Sequence, residues 1–134
     1  LIRDESLHLR AWLAISAAHD GAREREALLR GAAADAARVA RASEPSVAPL
    51  GELALAAVDH ARGDDERAVA RLRACIPAFE RAEMAAYVAA TRAALGSLLG
   101  GDEGSALVAE AAGALHAQNV ADPTRWFAML APGF

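Results

Sequence analysis

Sheet-forming residues are scarce in this chain of 134 residues: seven Val, three Ile and two Thr, against 38 Ala. So little β-branching beside so much of the strongest helix former excludes a sandwich, a barrel or a doubly wound sheet. Cysteine occurs once, so no internal disulfide can form, which suits a reducing cytoplasm. Lysine is absent, and all 14 basic residues are Arg. Against 18 acidic residues they leave a net charge of −4 and a pI near 5.5, unlike the basic face of a duplex-binding module, so no nucleic-acid partner is expected. Uninterrupted apolar runs fall short of the roughly 18 residues that a membrane span needs. The chain begins at Leu1 with no signal peptide, from which we expect a piece cut from a longer protein. What is present, 54% apolar and 24% charged residues, is enough for one folded domain with one core over residues 1–134.

Spacing of the apolar residues predicts six helices and a short seventh. The first runs from about Ile2 to Ala18, with Leu9, Trp12, Leu13 and Ile15 on its apolar side, and Gly21 takes the left-handed cap after it. A second covers Ala22 to Ala42, acidic at its start and Arg-rich at its end, as the helix dipole favours. Ser43-Glu44-Pro45-Ser46 breaks the pattern before a third from Val47 to Ala61, which Gly63 stops. Asp64 is the expected N-cap of a fourth helix carrying Val69, Leu72, Ile76 and Phe79, with a kink expected at Pro77. A fifth covers Met84 to Leu99, Gly100-Gly101 closes it, and Asp102 is expected to cap a sixth over Glu103 to Gln118. Asp122-Pro123 reads as N-cap and first residue of the last helix, which Pro132-Gly133 ends.

Gly21, Gly63 and Gly101 recur at 42 and 38 residues, each in a turn between two helices of a pair. The units are 2–42, 46–81 and 84–118, with a cap at 122–130. The middle one, from Leu55 through Gly63 to Cys75, resembles the tetratricopeptide repeat: Ala56, Gly63, Ala68, Leu72 and Cys75 fall on its small, turn and packing positions. Ala14 and Gly21 in the first unit, and Ala94, Gly101 and Ala106 in the third, fit more loosely. Glu26, Arg30 and Glu110 depart from the pattern. The resemblance implies an all-α, right-handed superhelix of about three such hairpins plus a short C-terminal capping helix. Residues 117–134 further resemble the ends of helical-repeat tails on bacterial signalling proteins, notably Ser/Thr protein kinases of myxobacterium-like organisms, which implies a catalytic domain elsewhere.

Chemistry-bearing residues form no active site in the sequence. His8, Trp12, Ile15 and His19 share a helix face, but eleven residues part the histidines by roughly 16 Å, too far for one metal ion. Gly100-Gly101-Asp102-Glu103-Gly104 spells most of a diguanylate-cyclase signature, which needs a β-hairpin where this chain has a helix turn. Phosphate binding of the Walker type lacks its Lys. Cys75 sits at a small-residue packing position, where a buried thiol is inert. We therefore expect no catalysis and no cofactor. In repeats of this type the first helix of each pair lines a concave groove. That rule nominates His8, Ala11, Ile15 and His19, then Leu53, Ala57 and His60, then Val88, Thr91 and Leu95, an apolar lining suited to a protein or peptide ligand. Two rival expectations stand beside it: an oligomerisation or spacer element pairing around Trp126 and Phe127, and a small-molecule pocket around Trp12 and Tyr87.

Overall fold

A computed structural model describes residues 2–19 and 24–134, with side chains for 7–16 and 24–134. Seven helices make up the described chain: α1 (Ile2–His19), α2 (Arg25–Ala40), α3 (Ala48–Ala61), α4 (Asp65–Arg81), α5 (Ala85–Leu99), α6 (Gly101–His116) and α7 (Pro123–Leu130). No strand occurs among the described residues. From α1 to α6 each helix packs on the next, α1 also reaches α3, and α7 lies on α5 and α6. This is the all-α order expected from composition and period. Gly21 lies outside the described residues.

Helix ends follow local chemistry. The Asp64 side chain accepts the Arg67 amide at 3.2 Å and the Asp122 side chain accepts the Arg125 amide at 3.2 Å, so both expected N-caps form. Three helices end in the same left-handed turn. At the end of α3, Gly63 (φ +82°) donates to His60 O and Asp64 donates to Asp59 O. At the end of α4 the turn residue is Glu83 (φ +57°), and at the end of α6 it is Asn119 (φ +65°), with matching bond pairs. Only the first of these was marked by a glycine, so a glycine-based reading misses the other two.

Two expectations need correction, on α6 and on α1. Asp102 does not cap α6: Gly100 and Gly101 both take positive φ, α6 begins at Gly101, and Asp102 lies in its first turn. As the spacing of Phe79 predicts, α4 continues through Pro77 to Arg81, with fully buried Phe79 in the turn beyond it. On α1 the buried side is Leu7, Ala11, Trp12 and Ile15, while Leu9 (59%) and Leu13 (63%) are exposed. The inward stripe is therefore rotated from the expected one, because the contacts that α1 makes with α2 and α3 choose its face.

One apolar core runs through α1–α5 and takes in Ile15, Leu29, Leu53, Leu72, Phe79 and Leu95. A smaller one joins Ala89 and Ala93 of α5 to Ala111 and Leu115 of α6. Glycine lets some helix backbones touch. A Cβ on Gly51 of α3 would fall into the Ala40 amide nitrogen and within 2.6 Å of Ala36 O on α2. A Cβ on Gly96 of α5 would lie 2.6 Å from Gly104 O, and one on Gly104 of α6 would fall into Gly96 O. Gly104, one letter of the cyclase-like run, is thus a helix-crossing residue.

Candidate interaction surface

The face nominated from the sequence lies on α1, α3 and α5, and most of it is buried. Ala11, Ile15, Leu53, Ala57, Val88, Thr91 and Leu95 are all core residues, while His8 and His60 are half-buried. The His19 side chain lies outside the described residues. Small residues on these helices let them pack closely, and that same closeness withdraws their side chains from water.

Part of the cover comes from the end of the chain. After α7, residues 131–134 cross from α5 toward α3 and α1. Ala131 and Pro132 are buried. Gly133 sits with φ +98° so close to α1 and α3 that a Cβ there would lie 2.9 Å from Ile15 Cγ2 and 3.5 Å from Ala57 Cβ. The Phe134 ring stacks on His60, centroids 5.7 Å apart and planes 14° from parallel. His60 Nδ1 in turn lies 2.6 Å from Asp65 Oδ1, which fixes the ring. Phe127, Leu130 and Phe134 all pack on the main core. The other side of α7 faces outward, with Trp126 (41%) and Met129 (61%) exposed.

The covering segment does not fill the space beneath it. A cavity of about 200 Å³ remains between it and the hairpin of α5 and α6, lined by Ala90, Ala93 and Ala94 below and by Phe127, Ala131 and Phe134 above. Ser97 and Val108 complete that floor; alanine carries a single methyl, so a floor built mainly of alanine leaves room that larger side chains would occupy.

Polar side chains elsewhere join helices. Arg10 of α1 makes two bonds to the buried Asp35 carboxylate of α2, at 2.7 and 2.6 Å. These bonds and the carboxylate charge hold the Arg10 guanidinium above its ordinary pKa. Arg71 of α4 bonds Asp59 and Glu52 of α3, each at 2.7 Å. Burial opposes that charge, but the two carboxylates outweigh burial and raise its pKa. Glu26 pairs with Arg62 at 3.1 Å, tying the start of α2 to the end of α3.

Among the described residues, three buried side-chain polar atoms have no hydrogen-bond partner: His8 Nδ1, Trp12 Nε1 and Thr91 Oγ1. Burial lowers the His8 pKa, so this imidazole is held neutral beside the Trp12 ring, 5.0 Å away. The Cys75 thiol lies 3.8 Å from Pro49 O and is pushed up to about 12 by burial, with the Glu52 charge adding and Arg71 opposing. It is protonated at neutral pH, and its thiolate is not accessible to chemistry. Tyr87 stacks on Phe79 at 5.2 Å, and burial raises its phenol pKa. Trp12 and Tyr87, the pair named for a small-molecule pocket, are thus engaged with His8 and Phe79 respectively. A hollow of about 430 Å³ between the end of α4, α5 and α6 has an apolar floor at Val88 and Ala111 and a charged rim at Glu80, Glu83 and Arg92.

Among the described residues no three of His, Cys, Asp and Glu gather as a metal site would require, and no helix is long and apolar enough to cross a membrane. No protein-family model matches the chain, and neither a curated protein nor a solved structure matches it.

Proposed function

We propose that this chain is a non-catalytic interaction and regulatory module of a larger bacterial signalling protein, acting in the cytoplasm. It takes a peptide or helix on the face of α1, α3 and α5. On this reading the helix pairs form a right-handed, tetratricopeptide-like superhelix whose inner face is that surface. One observation carries the proposal: a short apolar segment, residues 131–134, already packs against Ile15 of α1 and against Ala57 and His60 of α3. A surface that holds Pro-Gly-Phe by apolar contact and ring stacking has the chemistry to hold a partner's apolar segment. Each 100 Å² of apolar area covered contributes about 2.5 kcal/mol before ordering costs.

Selection of random displayed peptides on the full chain tests it. The expected winners carry aromatic and branched apolar residues, and they lose binding when Ala57→Arg sets a charge in the face. Failure to enrich any apolar motif counts against the reading.

A second reading, a homodimer or spacer without a separate ligand, draws on the exposed Trp126 and Met129 of α7. Light scattering separates the two: a dimer dispersed by Trp126→Glu supports the second, a monomer the first.

A further inference from the structure

We propose that residues 123–134 are a displaceable strap, an internal stand-in for the partner segment, so that the face on α1, α3 and α5 is self-inhibited until a better-filling apolar segment replaces it. The inference rests on the function proposed above and adds to it how the site is kept closed and what chemistry opens it.

Three observations converge. First, the strap lies across part of the nominated face: α7 on α5, Gly133 on Ile15 and Ala57, and Phe134 on His60, while Val88 and Leu95 line hollows that α5 shares with α4 and α6. Second, its burial is one-sided: Ala131 and Pro132 are buried and Phe127, Leu130 and Phe134 pack on the main core, but of α7 itself only Pro123 is buried, while Thr124, Arg125, Trp126, Ala128 and Met129 are exposed. Helices with one thin apolar edge and an exposed opposite face open at lower free energy than the core they cover. Third, the fit is incomplete. The cavity of about 200 Å³ is lined on the strap side by Thr124, Ala128 and Ala131 beside the rings of Phe127 and Phe134. A competing segment with Leu, Met or Phe at those places would gain contacts that the strap forgoes. An occupant joined to its site has a high effective concentration, on the order of millimolar for a short connection, so modest contacts suffice to keep a weak outside ligand off. The partner is therefore a short segment of apolar and aromatic side chains that fills an alanine-floored space.

The test uses the full chain and a labelled peptide copying residues 122–134. Hydrogen exchange of the unmodified chain is expected to show amides of 124–131 opening well before those of α3 and α4. Gly133→Val sets a Cβ 2.9 Å from Ile15 Cγ2 and strains a positive-φ backbone. It should lift the strap, leave helicity intact and tighten peptide binding at least about tenfold. Ala128→Leu in the chain fills the cavity from the strap side and should weaken peptide binding below wild type, by about sixtyfold if all three added carbons are buried.

Exchange of 124–131 only with global unfolding would show the strap to be inseparable core and overturn the proposal, as would loss of helicity in Gly133→Val. Peptide binding equal in wild type and Gly133→Val would place the peptide elsewhere and overturn it too. If the peptide binds the lifted chain while no outside segment is ever selected, the strap stands and the interaction reading alone fails.

Discussion

The α3–α4 and α5–α6 hairpins join two helices of similar length by opposite means. Between α3 and α4 lie large buried side chains, Leu53, Leu72 and Phe79, and Arg71 bridging Asp59 and Glu52. Between α5 and α6 the backbones meet at Gly96 and Gly104, with Leu107 and Val108 close beside Gly96 and a small core of alanines and Leu115 next to it. One hairpin is held by what fills the gap, the other by having almost no gap. Removing atoms should therefore break the first, and adding atoms should break the second.

The largest effect falls in the first hairpin. Phe79→Ala leaves a hole in the main core beside Tyr87 and should destabilise by about 3–5 kcal/mol, measured by urea unfolding. Next comes Gly104→Ala, whose Cβ meets the Gly96 carbonyl. It should cost about 2–3 kcal/mol even though alanine is the better helix former by about 1 kcal/mol. A Gly104→Ala chain as stable as wild type would erase the contrast.

A smaller effect belongs to Cys75, again in the first hairpin. Its folded pKa is raised to about 12, whereas the unfolded thiol ionises near its ordinary value. Between the two the folded chain holds the proton that the unfolded chain has lost, so stability falls as pH rises through this window. At one pH unit above the ordinary thiol value the loss is about 1.4 kcal/mol. The thermal midpoint should decline less on the alkaline side in Cys75→Ala, and a parallel decline would remove Cys75 as the cause. Smallest is the turn between the hairpins. Glu83→Gly relieves a left-handed backbone and should stabilise by about 0.5–1 kcal/mol, visible as a raised thermal midpoint. A fall there would mean the Glu83 side chain contributes more than its backbone strain removes.

These contrasts explain what could be read from the residues. Helix positions followed from apolar spacing, and the Asp64 and Asp122 caps followed from short side-chain chemistry acting within three residues. Glycines were harder, because the letter does not say which freedom it supplies. Gly63 supplies a positive φ, whereas Gly51, Gly96 and Gly104 supply the absence of a Cβ at a crossing. Glu83 and Asn119 take the left-handed turn without the glycine that would have marked it. The nominated face was also half legible: its residues do lie on α1, α3 and α5, yet burial among neighbouring helices is a pairwise fact that one helix's spacing does not carry.

Composition and periodicity alone determined that this chain is helical and where its helices run. These depend on neighbours within one or two turns, and alanine content with apolar spacing sets them locally. Which stripe of α1 turns inward, where backbones touch, and that Gly133 and Phe134 come to rest on Ile15, Ala57 and His60 were decided only by tertiary packing. The contacts of Gly133 and Phe134 join residues more than 70 positions apart. Their free energy exists only once several helices have already found one another.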